Sequence, residues 1–361
     1  DYARNFATYP FIIAPNGSEK IGGVAETLQL DVNGQAITLV YVDSTKGWVN
    51  VQNAEDTEIG SPTSFVAATG GNTTLTVGDF KTHIFTGPGS LCVSCAGNSK
   101  GSNTVEYLVV AGGGGGSFGG GGAGGLRTVY PSPASGGLPV TATSYPVTVG
   151  AAGTGIPCAT SGSNSIFAGS STITSAGGGR GGGPNGNTGS GADGGSGGGG
   201  GHDNPSGGAG GSGNTPPVSP VAQGFDGGTG EQPPYFGGGG GGGATSVGTD
   251  ATPGSPPENT GGNGGTGNYW PDAVLGPTAP SYGTTGPVGS TRYFAGGGGG
   301  SYRYSTSKGI GGSGGGGNAE QPSPAIAATT GTTNTGGGGG GGNGTGKAGG
   351  SGIVMIRYKF Q

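Results

Sequence analysis

The sequence predicts an all-β amino-terminal region followed by a glycine-rich domain of packed polyglycine-II helices closed by short β-strands, with essentially no α-helix. Three observations carry this. Of 99 glycines in 361 residues, only 13 precede Gly112. Alternating apolar and polar stretches separated by turn residues fill the first hundred positions. Strand-like segments flank the glycine region on both sides. Glycine loses more conformational entropy on folding than any other residue, so a region this rich in it folds only through an unusual packing scheme.

Residues 1–103 read as β structure that attaches the protein or builds a shaft, divisible into units 1–60 and 61–103. Residues 26–32 alternate apolar and polar, Asn33-Gly34 follows, and residues 36–42 alternate again. Asn-Gly between two such stretches predicts a tight hairpin, because both turn positions need positive φ. A second turn over 44–47 leads into a strand over 48–52. Further strands are expected over 73–77, 80–86, 90–95 and 104–110.

The composition changes at Val109-Val110-Ala111-Gly112. Residues 104–361 form the second predicted domain. Uninterrupted glycine runs occupy 112–116, 119–122, 197–201, 237–243, 296–300 and 336–342, and interrupted GGxGG patterns fill 207–213, 261–267 and 311–317. A strict Gly-X-Y period is absent, which excludes a collagen triple helix. A polyglycine helix turns once every three residues without internal hydrogen bonds. Its N–H and C=O groups must therefore pair with neighbouring helices, helped by Cα–H···O contacts of about 0.5–1 kcal/mol each. Short strands are expected over 145–149, 165–167, 171–175 and 352–360. If 106–110 and 353–360 pair, the glycine region is a closed module whose ends meet at its base.

Composition narrows function. Charged residues make up 9%, net charge is −5, and 13 Lys and Arg are scattered, so no nucleic-acid surface is expected. No apolar stretch approaches the roughly 20 residues of a membrane helix, so no membrane insertion is expected. The chain opens on Asp1-Tyr2 rather than Met, so a processed or partial product is expected. Cys92 and Cys95 form a CxxC inside an expected strand and Cys158 stands apart, a structural pattern with room for one disulfide. No metal is expected. Asp193, Asp203 and Asp226 lack the spacing of a calcium loop, and His83 and His202 lie far apart. No cofactor is expected either: residues 341–347 mimic a phosphate loop, but Ala348 stands where Ser or Thr would hold magnesium. His202-Asp203 has no nucleophile elbow to serve, and only eight acidic residues follow residue 111, thinly spread. No catalytic residue is assigned and an enzyme is not expected.

Recognition must then come from what interrupts the glycine. Residues 214–236, 244–260, 268–295, 301–310 and 318–335 carry paired aromatics: Tyr235-Phe236, Tyr269-Trp270, Tyr293-Phe294 and Tyr302-Arg303-Tyr304, with Tyr282 between. Tyr, Trp and Arg are enriched at binding hot spots. Tyr235, Phe236, Tyr293 and Phe294 each border a glycine run and serve equally well as a roof over it. Tyr269, Trp270, Tyr282, Tyr302, Arg303 and Tyr304 sit deeper in the interruptions and are the stronger contact candidates.

Tyr107-Leu-Val-Val-Ala-Gly-Gly-Gly-Gly-Gly116, Tyr145-Pro-Val-Thr-Val-Gly-Ala-Ala-Gly153 and Gly349-Gly-Ser-Gly-Ile-Val-Met-Ile-Arg-Tyr358, in that order, resemble the glycine-rich domain of bacteriophage tail fibres and related adhesins. Tyr9-Pro-Phe-Ile-Ile-Ala-Pro-Asn-Gly-Ser18 is similar, less specifically, to segments of virion appendage proteins. The resemblance implies an extracellular virion protein, commonly a homotrimer, attached to other fibre or baseplate proteins. It also implies distal loops that bind a bacterial surface receptor, a glycan or an outer-membrane protein. A structural fibre subunit without receptor binding is the alternative it leaves open.

Overall fold

The computed structural model describes residues 1, 3–54, 63–129, 137–183, 189–202, 207–219, 221–232, 235–253, 260–303 and 307–361. The chain divides into two compact units, Asp1–Ser64 and Phe65–Gln361. The second unit therefore begins well before residue 104, and the reason lies in its central sheet, described below.

In the first unit, β1 (Phe11–Ile13) pairs antiparallel with β2 (Leu28–Leu30), and β3 (Ala36–Asp43) with β4 (Gly47–Ala54). The turn over 44–46 forms as expected, held by Asp43, whose carboxylate accepts the Thr45 and Lys46 N–H groups at 2.7 Å. Those two bonds hold the Asp43 carboxyl below its ordinary pKa. The Asn33-Gly34 hairpin does not form: β2 pairs with β1 and β3 with β4. The turn is spent on the amino-terminal segment instead. Gly34 N–H donates to the Asp1 carboxylate at 3.1 Å, and the Asn33 side chain accepts from Ala7 N–H at 2.9 Å.

The second unit opens with β5 (Val66–Thr69), β6 (Thr73–Val77), β7 (Phe80–Phe85), β8 (Gly89–Ala96) and β9 (Thr104–Val110). Later come β10 (Leu126–Thr128), β11 (Leu138–Pro139), β12 (Ser144–Thr148), β13 (Ser165–Ala168), β14 (Thr172–Ser175), β15 (Asn268–Pro271), β16 (Thr291–Phe294) and β17 (Ile353–Lys359). One sheet runs β10-β9-β17-β7-β6, with β11 beside β9, and the other runs β14-β13-β12-β8-β5. β9 and β17 pair as the two ends of the glycine region must, with Arg357 opposite Glu106 in a close ion pair. β17 also pairs with β7 on its other edge. Cutting near residue 104 would strip β6 and β7, two of the six strands of this sheet, so residues 65–103 belong with the glycine region.

Alternation along β9 and β17 assigns each face. Tyr107, Val109, Val354, Ile356 and Tyr358 point into a core shared with Leu91, Val93, Tyr145, Val147 and Phe167 of the facing sheet. Leu108, Val110, Ile353 and Met355 point the other way, against Trp270, Val274, Leu275 and Phe294. Burial on both faces explains why Leu108-Val-Val110 and Ile353-Val-Met-Ile356 read as continuous apolar runs rather than alternating ones. The second cover comes from residues 268–294, where the hairpin β15–β16 encloses helix α1 (Asp272–Leu275) and a 3-10 turn (Gly276–Ser281).

Above the sheets the glycine runs form a lattice. Gly112 and Gly115 donate to Ser163 and Thr160, Gly113 and Gly116 to Gly350 and Lys347, and Gly114 to Gly122. Returning to the same neighbour every third residue is the periodicity of the polyglycine-II helix. Segment 119–125 bonds to six others: 111–116, 176–182, 195–201, 237–243, 295–301 and 335–342. The same hexagonal surround is completed around 111–116, 195–201, 237–243, 295–301 and 335–342. Each of these six interior helices contains one of the six runs named above, while Gly314–Gly317, as long as 119–122, lies outside them. Interrupted patterns lie outside, with Ala209, Ser212, Asp226 and Thr229 exposed at every third position. Glycine is needed inside for space. A Cβ on Gly121 would fall on the Gly114 carbonyl, and one on Gly241 on the Gly121 carbonyl.

Outer helices have no neighbour to accept their outward N–H groups, and Asx side chains take that place. Asp193 accepts from Ser212 N–H at 2.7 Å, Asp226 from Gly213 at 2.7 Å, Asp250 from Thr229 at 2.6 Å, Asn263 from Ile310 at 2.8 Å and Asn318 from Gly311 at 2.9 Å. Two of the three aspartates weighed as calcium ligands thus have a structural role; Asp203 lies outside the described residues.

Candidate functional site

The hydrogen bonds fix the direction of every run. Segment 111–116 leaves the sheet at β9, and 119–125 returns antiparallel to it and enters β10. The alternation continues through the lattice to 346–352, which returns to β17. The turns therefore fall into two sets, one beside the sheets and one about 20 Å away across six or seven residues at 3.1 Å each. Among the described residues the distal set includes 117–118, 156–159, 231–232, 235–237, 302–303, 307–308, 321–327 and 343–345.

Four distal turns meet in one aromatic cluster. The Phe118 ring packs edge-on against His202 at 4.0 Å, and His202 packs edge-on against Phe236 at 5.9 Å. The Arg303 guanidinium lies 5.4 Å from the Phe236 ring centroid, within cation–π range. Backbone bonds hold the turns together: Phe118 O accepts from Ser301 N–H at 3.0 Å and from Ser301 Oγ at 2.9 Å, and Phe118 N–H donates to Gly182 O at 3.0 Å. Phe236 sits at φ 51°, a left-handed conformation that costs an L-residue about 1–2 kcal/mol. Contacts with His202 and Arg303 offset that cost and fix the turn. Tyr235, next to it, is 36% exposed.

The ten sequence candidates separate between the two ends. Tyr235, Phe236, Tyr302 and Arg303 are distal, and Tyr304 lies outside the described residues. Tyr302 is 2% exposed and bridges Gly237, so its ring packs under the turns rather than facing outward. Tyr269, Trp270, Tyr282, Tyr293 and Phe294 belong to the insertion beside the sheets. Trp270 is 0% exposed and donates its indole N–H to Thr128 Oγ1 at 3.1 Å, which corrects its assignment as a contact residue. The cause is β15: strand alternation turns Trp270 inward to the core that holds Leu108 and Met355 and leaves Tyr269 half-buried against Tyr293, with ring centroids 5.3 Å apart. Tyr293 and Phe294 are buried, Phe294 in the same core as Trp270. Tyr282 packs partly against the same core, and its carbonyl accepts from Arg292 Nε at 2.6 Å.

Phe118 and His202 escaped the sequence reading. The signal for Phe118 was present: with Ser117 it is all that separates two glycine runs, so its ring must cap a lattice end. A cavity of about 770 Å³ on the sheet side, lined by Tyr107, Leu126, Val129, Leu138, Val221 and Phe225, is chiefly apolar and converges no charged pair. No disulfide joins Cys92, Cys95 or Cys158. Cys92 and Cys95 lie three residues apart on β8, about 10 Å at strand rise, beyond disulfide reach.

Residues 94–359 match the glycine-rich domain family, and the chain belongs to that family. No curated protein and no solved structure matches the chain.

Proposed function

We propose that the protein is a virion appendage of the tail-fibre kind, a non-enzymatic adhesin whose glycine lattice presents its distal turns to a receptor on a bacterial surface. The observation that carries this reading is the gathering of Phe118, His202, Phe236 and Arg303 at the lattice end farthest from the sheets, with Tyr235 exposed beside them. A spacer has no need of a strained aromatic turn. A rigid lattice also lowers the entropy its turns lose on binding. Tyr235, Arg303 and Tyr304 are the contact residues in this reading. Its partners are a surface glycan or outer-membrane protein, other fibre or baseplate proteins, and further copies of the chain in a homotrimer.

The test is binding of the full chain to intact cells of a bacterial panel, beside a triple variant Tyr235→Ala, Arg303→Ala, Tyr304→Ala. A tenfold or greater loss, about 1.4 kcal/mol, is expected; the variant Tyr235→Ala, Tyr304→Ala, which keeps the Arg303 contact with Phe236, should lose binding at unchanged melting temperature. A second reading, a structural fibre subunit, draws support from the burial of Trp270, Tyr293, Phe294 and Tyr302. Absence of binding by the parent chain across the panel would favour it.

A further inference from the structure

Among the described residues seventeen large hydrophobic side chains are exposed, and ten of them precede residue 52. In the same unit Leu30 is the single buried hydrophobic among the described residues. β3 and β4 carry apolar side chains on both faces: Leu39, Tyr41 and Trp48 on one, Val40 and Val49 on the other. A two-stranded sheet with both faces uncovered is marginal in water. Among the described residues β3 pairs only with β4, and no described strand lies along its outer edge over its eight residues. Natural edge strands of that length are blunted by Lys, Pro or inward charges. Ala36-Ile-Thr-Leu-Val-Tyr-Val-Asp43 has none until its last position.

We infer that the amino-terminal unit is where copies of this chain associate, with the β3 edge and both faces of the β3–β4 hairpin covered by the same unit of neighbouring copies. The inference rests on the fibre reading only for a copy number of three; β3-to-β3 edge pairing by itself joins two copies, so a third is held through the hairpin faces. A nearly chargeless hairpin offers nothing for a different protein to recognise by charge. An open edge, by contrast, finds a matching edge in every other copy, as closed homo-oligomers require. In the glycine unit Val221 and Phe225 border the sheet-side cavity, and the other exposed apolar residues, among them Val247, Val288 and Ile310, lie far apart in the sequence.

Light scattering coupled to size exclusion, on the full chain at micromolar concentration, reads the mass. The parent is expected at a multiple of the chain mass, and the double variant Val40→Asp, Val42→Asp at the monomer mass. The main melting transition, belonging to the glycine unit, is expected to stay unchanged. Val288→Asp is the control and should keep the parent mass. A monomeric parent, an undissociated double variant, or dissociation by Val288→Asp overturns the inference. None of these outcomes bears on cell binding through the distal turns, so the two proposals fail separately.

Discussion

The hydroxyl of Tyr358 lies 3.0 Å from Nε2 of His83, and the two rings stack at 5.6 Å. His83 Nδ1 faces the Gly70 carbonyl at 2.7 Å. A carbonyl only accepts, so Nδ1 carries the proton, and the neutral ring accepts from Tyr358 at Nε2. The same hydroxyl accepts from Ala68 N–H at 3.1 Å, joining β17 of one sheet to β5 of the other. Burial, more than any neighbour, lowers the His83 pKa below its ordinary 6.5, with Lys81 adding to it and the Gly70 bond opposing.

The sign of the pH dependence follows. Below 6.5 the unfolded chain takes up a proton at this histidine before the folded chain does, so stability falls as pH falls from 6.5 towards the lowered folded value. At the alkaline end, burial raises the Tyr358 pKa above 10, so its contribution is complete below 10 and is lost as pH rises through the raised value. Melting temperatures measured across this range should show a plateau between the two limits. His83→Gln should flatten the acid limb, and an unchanged acid limb would assign it elsewhere.

Interior and outer lattice positions should differ sharply. Gly121→Ala places a methyl on the Gly114 carbonyl, with backbone on every side and no flexible side chain to yield. Overpacking costs typically 1–3 kcal/mol even where repacking helps, so a loss of at least about 3 kcal/mol is expected here. Thr229→Ala, at an exposed outer position, should change stability by less than about 0.5 kcal/mol. Chemical denaturation of both variants checks the pair.

The Asx rungs along the lattice edge give a graded test. Asp226→Ala leaves the Gly213 N–H to water and should cost about 0.5–1.5 kcal/mol. Asp226→Asn keeps a carbonyl oxygen in the same place and should recover most of that. Equal losses in both variants would mean that the carboxylate charge matters and the acceptor does not.

Much of this architecture was legible where periodicity reports burial. The strands over 73–77, 104–110 and 353–359, the three-residue glycine repeat and the β9–β17 closure all follow from local pattern. Position in the lattice was only partly legible: the six interior helices carry long glycine runs, yet Gly314–Gly317, a run of the same kind, turns at Gly314 and Gly315 with φ 107° and 90°. What stayed hidden depends on partners far along the chain. Asn33-Gly34 has the chemistry of a hairpin turn, yet Asp1 and Ala7 use its polar groups instead. Which interruptions face away from the sheets depends on counting runs up and down, and one strand at 268–271 suffices to bury a tryptophan that looks like a recognition residue.

Trp270 decides between those two roles most directly. Its ring is fully buried in the core that also holds Leu75, Ile84, Leu108 and Met355, and its indole N–H has a partner in Thr128. Trp270→Ala should therefore cost about 3–5 kcal/mol, as large-to-small changes in a packed core do. The damage should fall on the sheet side, about 20 Å from the distal cluster across the helix length. Tyr235→Ala, exposed and distal, should leave the melting temperature where it is. If Trp270→Ala melted like the parent while Tyr235→Ala melted early, the two ends of the lattice would have exchanged roles.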